Sequence, residues 1–150
     1  MVRIIITLVI YLISLVGLSQ AKEAAELIPV ENKGLIINVE INKTSSSNGK
    51  VFFALYDSEI NFYGRNPLKV LEKEIENDTV KITFDGLTPG TYAITCYHDS
   101  NNNGKMDFQE NGMPLEDYGA TNNVMNFGPP RFHDAKFDLI NKDLNFEIKF

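Results

Sequence analysis

The sequence predicts an all-β fold, an antiparallel seven-stranded β-sandwich with a long ordered loop. Three observations carry this. Apolar and polar residues alternate with period two along most of the chain. Clusters of Gly, Pro, Asn and Ser separate the alternating runs. After the first 21 residues no stretch has a convincing 3.6-residue period, so the helical classes are disfavoured.

The first run places Leu35, Ile37, Val39 and Ile41 opposite Ile36, Asn38 and Glu40, as in a strand buried on one face. Ser45 to Gly49 is a turn signal. Val51 to Tyr56 is apolar on both faces and reads as a central strand. Leu68 to Ile75 is charged and reads as an edge. Val80, Ile82 and Phe84 alternate with Lys81, Thr83 and Asp85, and Tyr92 to Tyr97 is a further apolar strand. Ala135 to Leu139 and Leu144 to Phe150 complete the seven. Between the fourth and fifth, Leu87-Thr88-Pro89-Gly90-Thr91-Tyr92 has the form of a tyrosine corner, in which the phenol bonds back to the turn. A terminal alternation ending in Phe150 also suits an outer-membrane barrel. Several strands here are shorter than the roughly 9–11 residues that a barrel strand needs.

Residues 1–21 read as a signal peptide. Arg3 gives the positive start, Ile4 to Leu18 the apolar core, and Ser19-Gln20-Ala21 the cleavage site. The apolar run is shorter than the roughly 20 residues of a spanning helix, and no Cys follows it to take a lipid. Residues 22–33 read as a flexible leader and residues 34–150 as a single β-sandwich domain. The expected location is secreted or periplasmic, with no membrane span in the mature chain. The net charge of −6 becomes one unit more negative once Arg3 is removed. Such a chain lacks the clustered Lys and Arg of a nucleic-acid binder. A lone cysteine, Cys96, allows no internal disulfide and sits in a strand pattern that buries it.

The stretch His98-Asp-Ser-Asn-Asn-Asn-Gly-Lys-Met-Asp-Phe-Gln-Glu110 carries the most chemistry. Calcium takes six to eight oxygen ligands, which a short loop supplies when alternate residues point inward around a glycine turn. Counting from Asp99, the ligand positions fall on Asp99, Asn101, Asn103, Lys105 (through its carbonyl), Asp107 and Glu110. Gly104 stands at the sharp turn. This fulfils the EF-type loop pattern. A strand enters the loop and no helix leaves it, so the site would be an EF-like loop set between β elements. The bland alternative is a polar hairpin tip, for which Asn103-Gly104 is a strong signal. A turn by itself requires neither acid at 99 and 107 nor Glu110.

Residues 108–131 lack periodicity but hold Met113, Tyr118, Val124, Met125 and Phe127, as expected of an ordered loop over one end of the sandwich. From Tyr92 to Phe137 the residues His98-Asp99-x-Asn101-x-Asn103-Gly104-x-x-Asp107, Gly112-x-Pro114-x-Glu116-x-Tyr118-Gly119-x-x-Asn122-Asn123 and Gly128-Pro129-Pro130-x-Phe132-x-x-Ala135-x-Phe137 stand together. They resemble the secreted bacterial family named domain of unknown function 2141. The strand pattern reads as an immunoglobulin-like sandwich; the resemblance implies export and a transthyretin-like or prealbumin-like form of it, and it marks 98–132 as the site. It brings no established activity. The purine-pathway hydrolase of transthyretin-like fold ends in a Tyr-Arg-Gly-Ser tetrapeptide, and this chain ends Phe146-Glu-Ile-Lys-Phe150.

The leading functional reading is therefore a non-enzymatic binding or structural module with calcium as cofactor and an extracytoplasmic ligand or protein as partner. The alternative is a metal-dependent enzyme or transition-metal binder built on His98, His133 and Cys96, of which Cys96 and His98 share a strand face. Glu110, Glu116 and Asp117 could form a carboxylate pair. Tyr56, Phe62 and Tyr63, with Asn61, Arg65 and Asn66, could stack on a ligand or pin their loop to the core. No nucleophile-elbow, zinc-protease or phosphate-loop motif occurs.

Overall fold

The computed structural model describes residues 34–124 and 128–150. The expected signal peptide and leader, Met125 and Phe127 lie outside the described residues. Among the described residues, eight strands form two sheets. They are β1 (Leu35–Ile41), β2 (Lys50–Tyr56), β3 (Lys69–Glu74), β4 (Val80–Leu87), β5 (Gly90–Asp99), β6 (Tyr118–Ala120), β7 (Phe137–Leu139) and β8 (Leu144–Glu147). The smaller sheet runs β4-β1-β8. The larger runs β3-β2-β5-β6, with β7 paired to β5 beyond β6.

Period-two alternation explains the core. Ile37, Val39 and Ile41 of β1 and Val80, Ile82 and Phe84 of β4 face Val51, Phe53 and Leu55 of β2 and Tyr92, Ile94 and Cys96 of β5. Phe53, Leu55, Ile37 and Ile94 are fully buried. Each such side chain contributes about 1.5–3 kcal/mol by leaving water. Charge on Lys69, Glu72, Lys73 and Glu74 marks β3 as the predicted edge, where charge discourages pairing with another chain. Tyr92 Oη donates to the carbonyl of Thr88 at 2.9 Å, closing the predicted corner.

Three expectations are corrected. The described strands number eight, because Tyr118–Ala120 pairs with Thr95–Tyr97. They are not all antiparallel, because β8 runs parallel to β1, with Ile37 opposite Leu144 and Val39 opposite Phe146. Alternation has the same form in either direction, so the pattern could not choose. Asp143 prepares this pairing, its Oδ1 accepting from the amide of Ile36 at 2.9 Å. Ala135 begins no strand. It ends a short helix, α2 (Phe132–Ala135), which packs with α1 (Glu59–Tyr63). Ser58 caps α1 by accepting from the amide of Asn61. Phe62 and Phe132 meet edge to face at 5.7 Å, and with Tyr56 and Ala93 they form a second apolar cluster on the outer face of the larger sheet. The aromatics after β2 thus pin their segment to the sheet.

Residues 121–123 link the sheets. Asn122 and Asn123 have φ of 69° and 52°, a region that Asn tolerates better than most residues. The Asn122 amide donates to the carbonyls of Asp134 and Lys136. The Asn123 amide donates to the carbonyl of Glu147 at 2.7 Å, and its oxygen accepts from the amide of Lys149 at 2.8 Å. Its side chain thereby stands in for a strand residue along the outer edge of β8.

Candidate functional site

The end of β5 divides its side chains between two environments. His98 points into the sandwich with Tyr92, Ile94 and Cys96. Asp99 points to the outer side, beneath its own loop, and is fully buried. The preceding turn crosses this strand end closely. A Cβ on Gly49 would lie 2.0 Å from the Asp99 carbonyl oxygen, so only glycine fits.

The Asp99 carboxylate organises the loop. Its Oδ1 accepts from the amide of Asn103 at 3.0 Å and its Oδ2 from the amide of Gly104 at 2.8 Å. Gly104 has a φ of 76°, which aims its N–H inward. Asn101 and Asn103 each donate a side-chain N–H to Asp107 Oδ2 at 2.7 Å. Their amide oxygens accept from the backbone of Asn103 and Lys105 at 3.0 Å. Five of the six predicted ligand positions, 99 to 107, thus lie in one tightly bonded turn.

Glu110 does not share that turn. The chain leaves it as a small hairpin in which Phe108 bridges Pro114. The amide of Gln109 donates to the carbonyl of Met113 at 2.7 Å, and that of Leu115 to the carbonyl of Asp107 at 2.9 Å. Glu110 sits exposed at the hairpin tip. The returning strand instead brings Glu116 under the loop, 8% exposed. Its Oε1 accepts from the amide of Ser100 at 3.0 Å, and its Oε2 from the amide of Asp107 at 3.2 Å. Glu116 joins the two ends of the turn, a place that counting along the EF-type pattern does not reach. Among the described residues, Asp99, Asp107 and Glu116 have no ion-pair partner. No group of three or more His, Cys, Asp or Glu side chains there is placed to hold a metal ion.

Tyr97 registers this concentration of charge. Its ring stacks on Phe52 at 5.1 Å and lies opposite Tyr118 in the sheet. Burial, then the nearby carboxylates of Asp99, Glu116 and Glu72, push its phenol above the ordinary value.

The alternative set is dispersed. The His98 ring is 1% exposed. Its Nε2 donates to the carbonyl of Asn48 at 2.7 Å, its Nδ1 lies 3.5 Å from Ser45 Oγ, and the ring stacks on Phe150. Cys96 is buried, and loss of water pushes its thiol far above the usual range. His133 stands on α2 over the opposite face of the larger sheet, with its side chain 84% exposed. The structure does not bring the three together. Nor do Glu110, Glu116 and Asp117 form a pair, for Glu110 is at the tip and Glu116 beneath the turn. The carbonyl of Asp117 accepts from the amide of His98, extending the β5–β6 pairing.

Comparison with known proteins adds the family. The family model described as "uncharacterized protein conserved in bacteria", domain of unknown function 2141, matches residues 39–147. The chain belongs to this family. No curated protein matches it. A solved structure, that of a domain of unknown function 4876 family protein from Bacteroides thetaiotaomicron VPI-5482, is similar at 17% identity with a TM-score of 0.32. The alignment covers 77% of this chain, which spans only 23% of that structure's length. In this member of the 2141 family, the match takes in the whole acidic turn, the hairpin and the Asn122-Asn123 link.

Proposed function

We propose that the protein is an exported, non-enzymatic β-sandwich whose turn at 99–107 binds calcium and so fixes the following hairpin as a binding surface. The observation that supports this is that Asp99 within the turn and Glu116 beneath it both bond to its backbone amides, and that neither they nor Asp107 has a cation of the described chain against it. The ligands are Asp99, Asn101, Asn103, Asp107 and the Lys105 carbonyl, with Glu116 closing the shell in the place that a helix-flanked loop gives to position 12. For Asn101 and Asn103 to serve, their amides must rotate. Their N–H groups now satisfy Asp107 as a cation would. That exchange, together with neutral amide ligands, puts affinity in the range of extracellular modules, about 10⁻⁴ to 10⁻³ M. Export rests on the pattern of residues 1–21.

The test is a thermal melt of the protein in EGTA, in millimolar calcium, and in calcium with Asp99→Ala. At a dissociation constant on the order of 0.1 mM, calcium adds about 1–2 kcal/mol. The expected result is a rise of several degrees that the variant lacks. Coincident melts of the wild type with and without calcium would reduce the turn to a self-satisfied hairpin base.

A further inference from the structure

The described chain holds three Asn-Gly pairs, Asn48-Gly49, Asn103-Gly104 and Asn111-Gly112. Such a pair is chemically labile. The glycine has no Cβ to shield its amide nitrogen, and attack of that nitrogen on the Asn Cγ closes a five-membered ring. Two of the pairs are tied down at both reacting groups. The amide of Gly104 donates to Asp99 Oδ2 at 2.8 Å, while the Asn103 side chain donates to Asp107 and accepts from the amide of Lys105. The amide of Gly112 donates to the carbonyl of Gln109 at 2.8 Å, while Asn111 Oδ1 accepts from the amide of Met113.

Asn48 differs. It is exposed, and among the described residues neither its side-chain amide nor the Gly49 N–H has a hydrogen-bond partner. Its carbonyl, by contrast, accepts from His98 Nε2 at 2.7 Å, and that ring is buried and stacked on Phe150. Charge collects on this carbonyl oxygen when the adjoining Gly49 amide loses its proton. A donor already aimed at developing charge eases its formation, as in an oxyanion hole. The same bond holds the Asn48 peptide in place, so the unbonded side chain is the part that swings in to react.

We propose that Asn48-Gly49 is a self-modifying site, which deamidates through a succinimide while His98 supports the anion. The Gly49 N–H gives its proton to hydroxide, and the nitrogen forms a bond to Asn48 Cγ. The Cγ–Nδ2 bond breaks, and Nδ2 leaves as ammonia with a proton from water. Water then opens the ring. Addition at Cγ gives aspartate. Addition at the former Asn48 carbonyl gives an isoaspartyl link, whose main chain runs through Cγ and gains a carbon. The oxygen that faced His98 then belongs to a free carboxylate. This chemistry lies beyond the calcium reading and shares no step with it.

The experiment ages the purified protein in mildly alkaline buffer with EGTA and follows tryptic peptides by mass spectrometry. Residues 44–50 carry Asn48, 82–105 carry Asn103 and 106–131 carry Asn111, with fragment ions locating the change. Asn48 and Asn103 share the sequence Asn-Gly-Lys, so local sequence does not separate them. In the native protein Asn48 is expected to convert about tenfold faster than the other two, or more, because theirs must first break hydrogen bonds. In urea the three rates should draw together. His98→Phe keeps a ring against Phe150 but removes the donor, and should slow Asn48 severalfold, with a melt to establish its fold. Native rates that are equal at Asn48 and Asn103 would overturn the proposal. So would an Asn48 lead that persists undiminished in urea, or an unslowed Asn48 in the folded variant. If the variant does not fold, the native and urea rates of the wild type decide.

Discussion

The two ends of β5 solve one problem with opposite chemistry. Each end must hold a turn against the sandwich. At Tyr92, a phenol reaches the Thr88 carbonyl and its ring stays in the apolar core. At Asp99, a buried carboxylate collects the amides of Asn103 and Gly104, and a second, Glu116, collects those of Ser100 and Asp107. The first device is neutral, and its strength is set by packing. The second concentrates negative charge and answers to anything that changes the local field. A single strand thus carries a neutral end and a charged end.

The comparison breaks most directly at Asp99. Asp99→Ala removes two charge-assisted bonds and leaves two amides without their partner. It should lower stability by about 3 kcal/mol in a denaturant titration. Glu116→Gln keeps an oxygen but loses the charge, and about 1–2 kcal/mol is expected. Glu110→Gln, at the exposed tip, should leave the same titration unmoved. An effect of Glu110→Gln matching that of Glu116→Gln would contradict the placement of the two residues.

Tyr92→Phe deletes one neutral bond and should cost about 1 kcal/mol, the same in EGTA and in calcium. A calcium-dependent cost would erase the distinction between the ends. Tyr97 sharpens it through pH. Its folded-state value is raised, so its stabilising contribution is complete below the ordinary value of 10.0 and is lost as pH climbs through the folded value. Tyr97→Phe should flatten that alkaline loss in melts recorded above pH 10. A cation at the turn would offset the Asp99 and Glu116 charges. Calcium should therefore move the phenolate absorbance of Tyr97 to lower pH, and an unmoved titration would count against a metal there. The smallest effect is on Cys96, whose buried thiol should react with a disulfide reagent only after unfolding.

How much of this was legible follows from what each pattern encodes. Alternation located seven strands, because each buries one face or lies at the centre of a sheet. It could not supply the direction of β8, which depends on a crossing between sheets. Nor could it find β6, which has three residues around a glycine. The ligand pattern found Asp99 to Asp107 because those residues share a turn. Its last position falls on Glu110, which the chain carries away from that turn. Asn111-Gly112 is itself a hairpin signal. It turns the chain back, carries Glu110 outward and returns Glu116 to the base. That dipeptide was the cue available in the sequence. The burial of Cys96 was readable from its strand, whereas the separation of His98 from His133 required the position of α2.

The side chain of Asn123 has a consequence for how copies of this protein behave at high concentration. By taking the Glu147 carbonyl and the Lys149 amide, it occupies the rung that a foreign strand would need to extend the smaller sheet beyond β8. Strand addition is a step by which β proteins polymerise. Here one asparagine acts as a built-in chain terminator, ending the ladder with a group that has no further rung to offer.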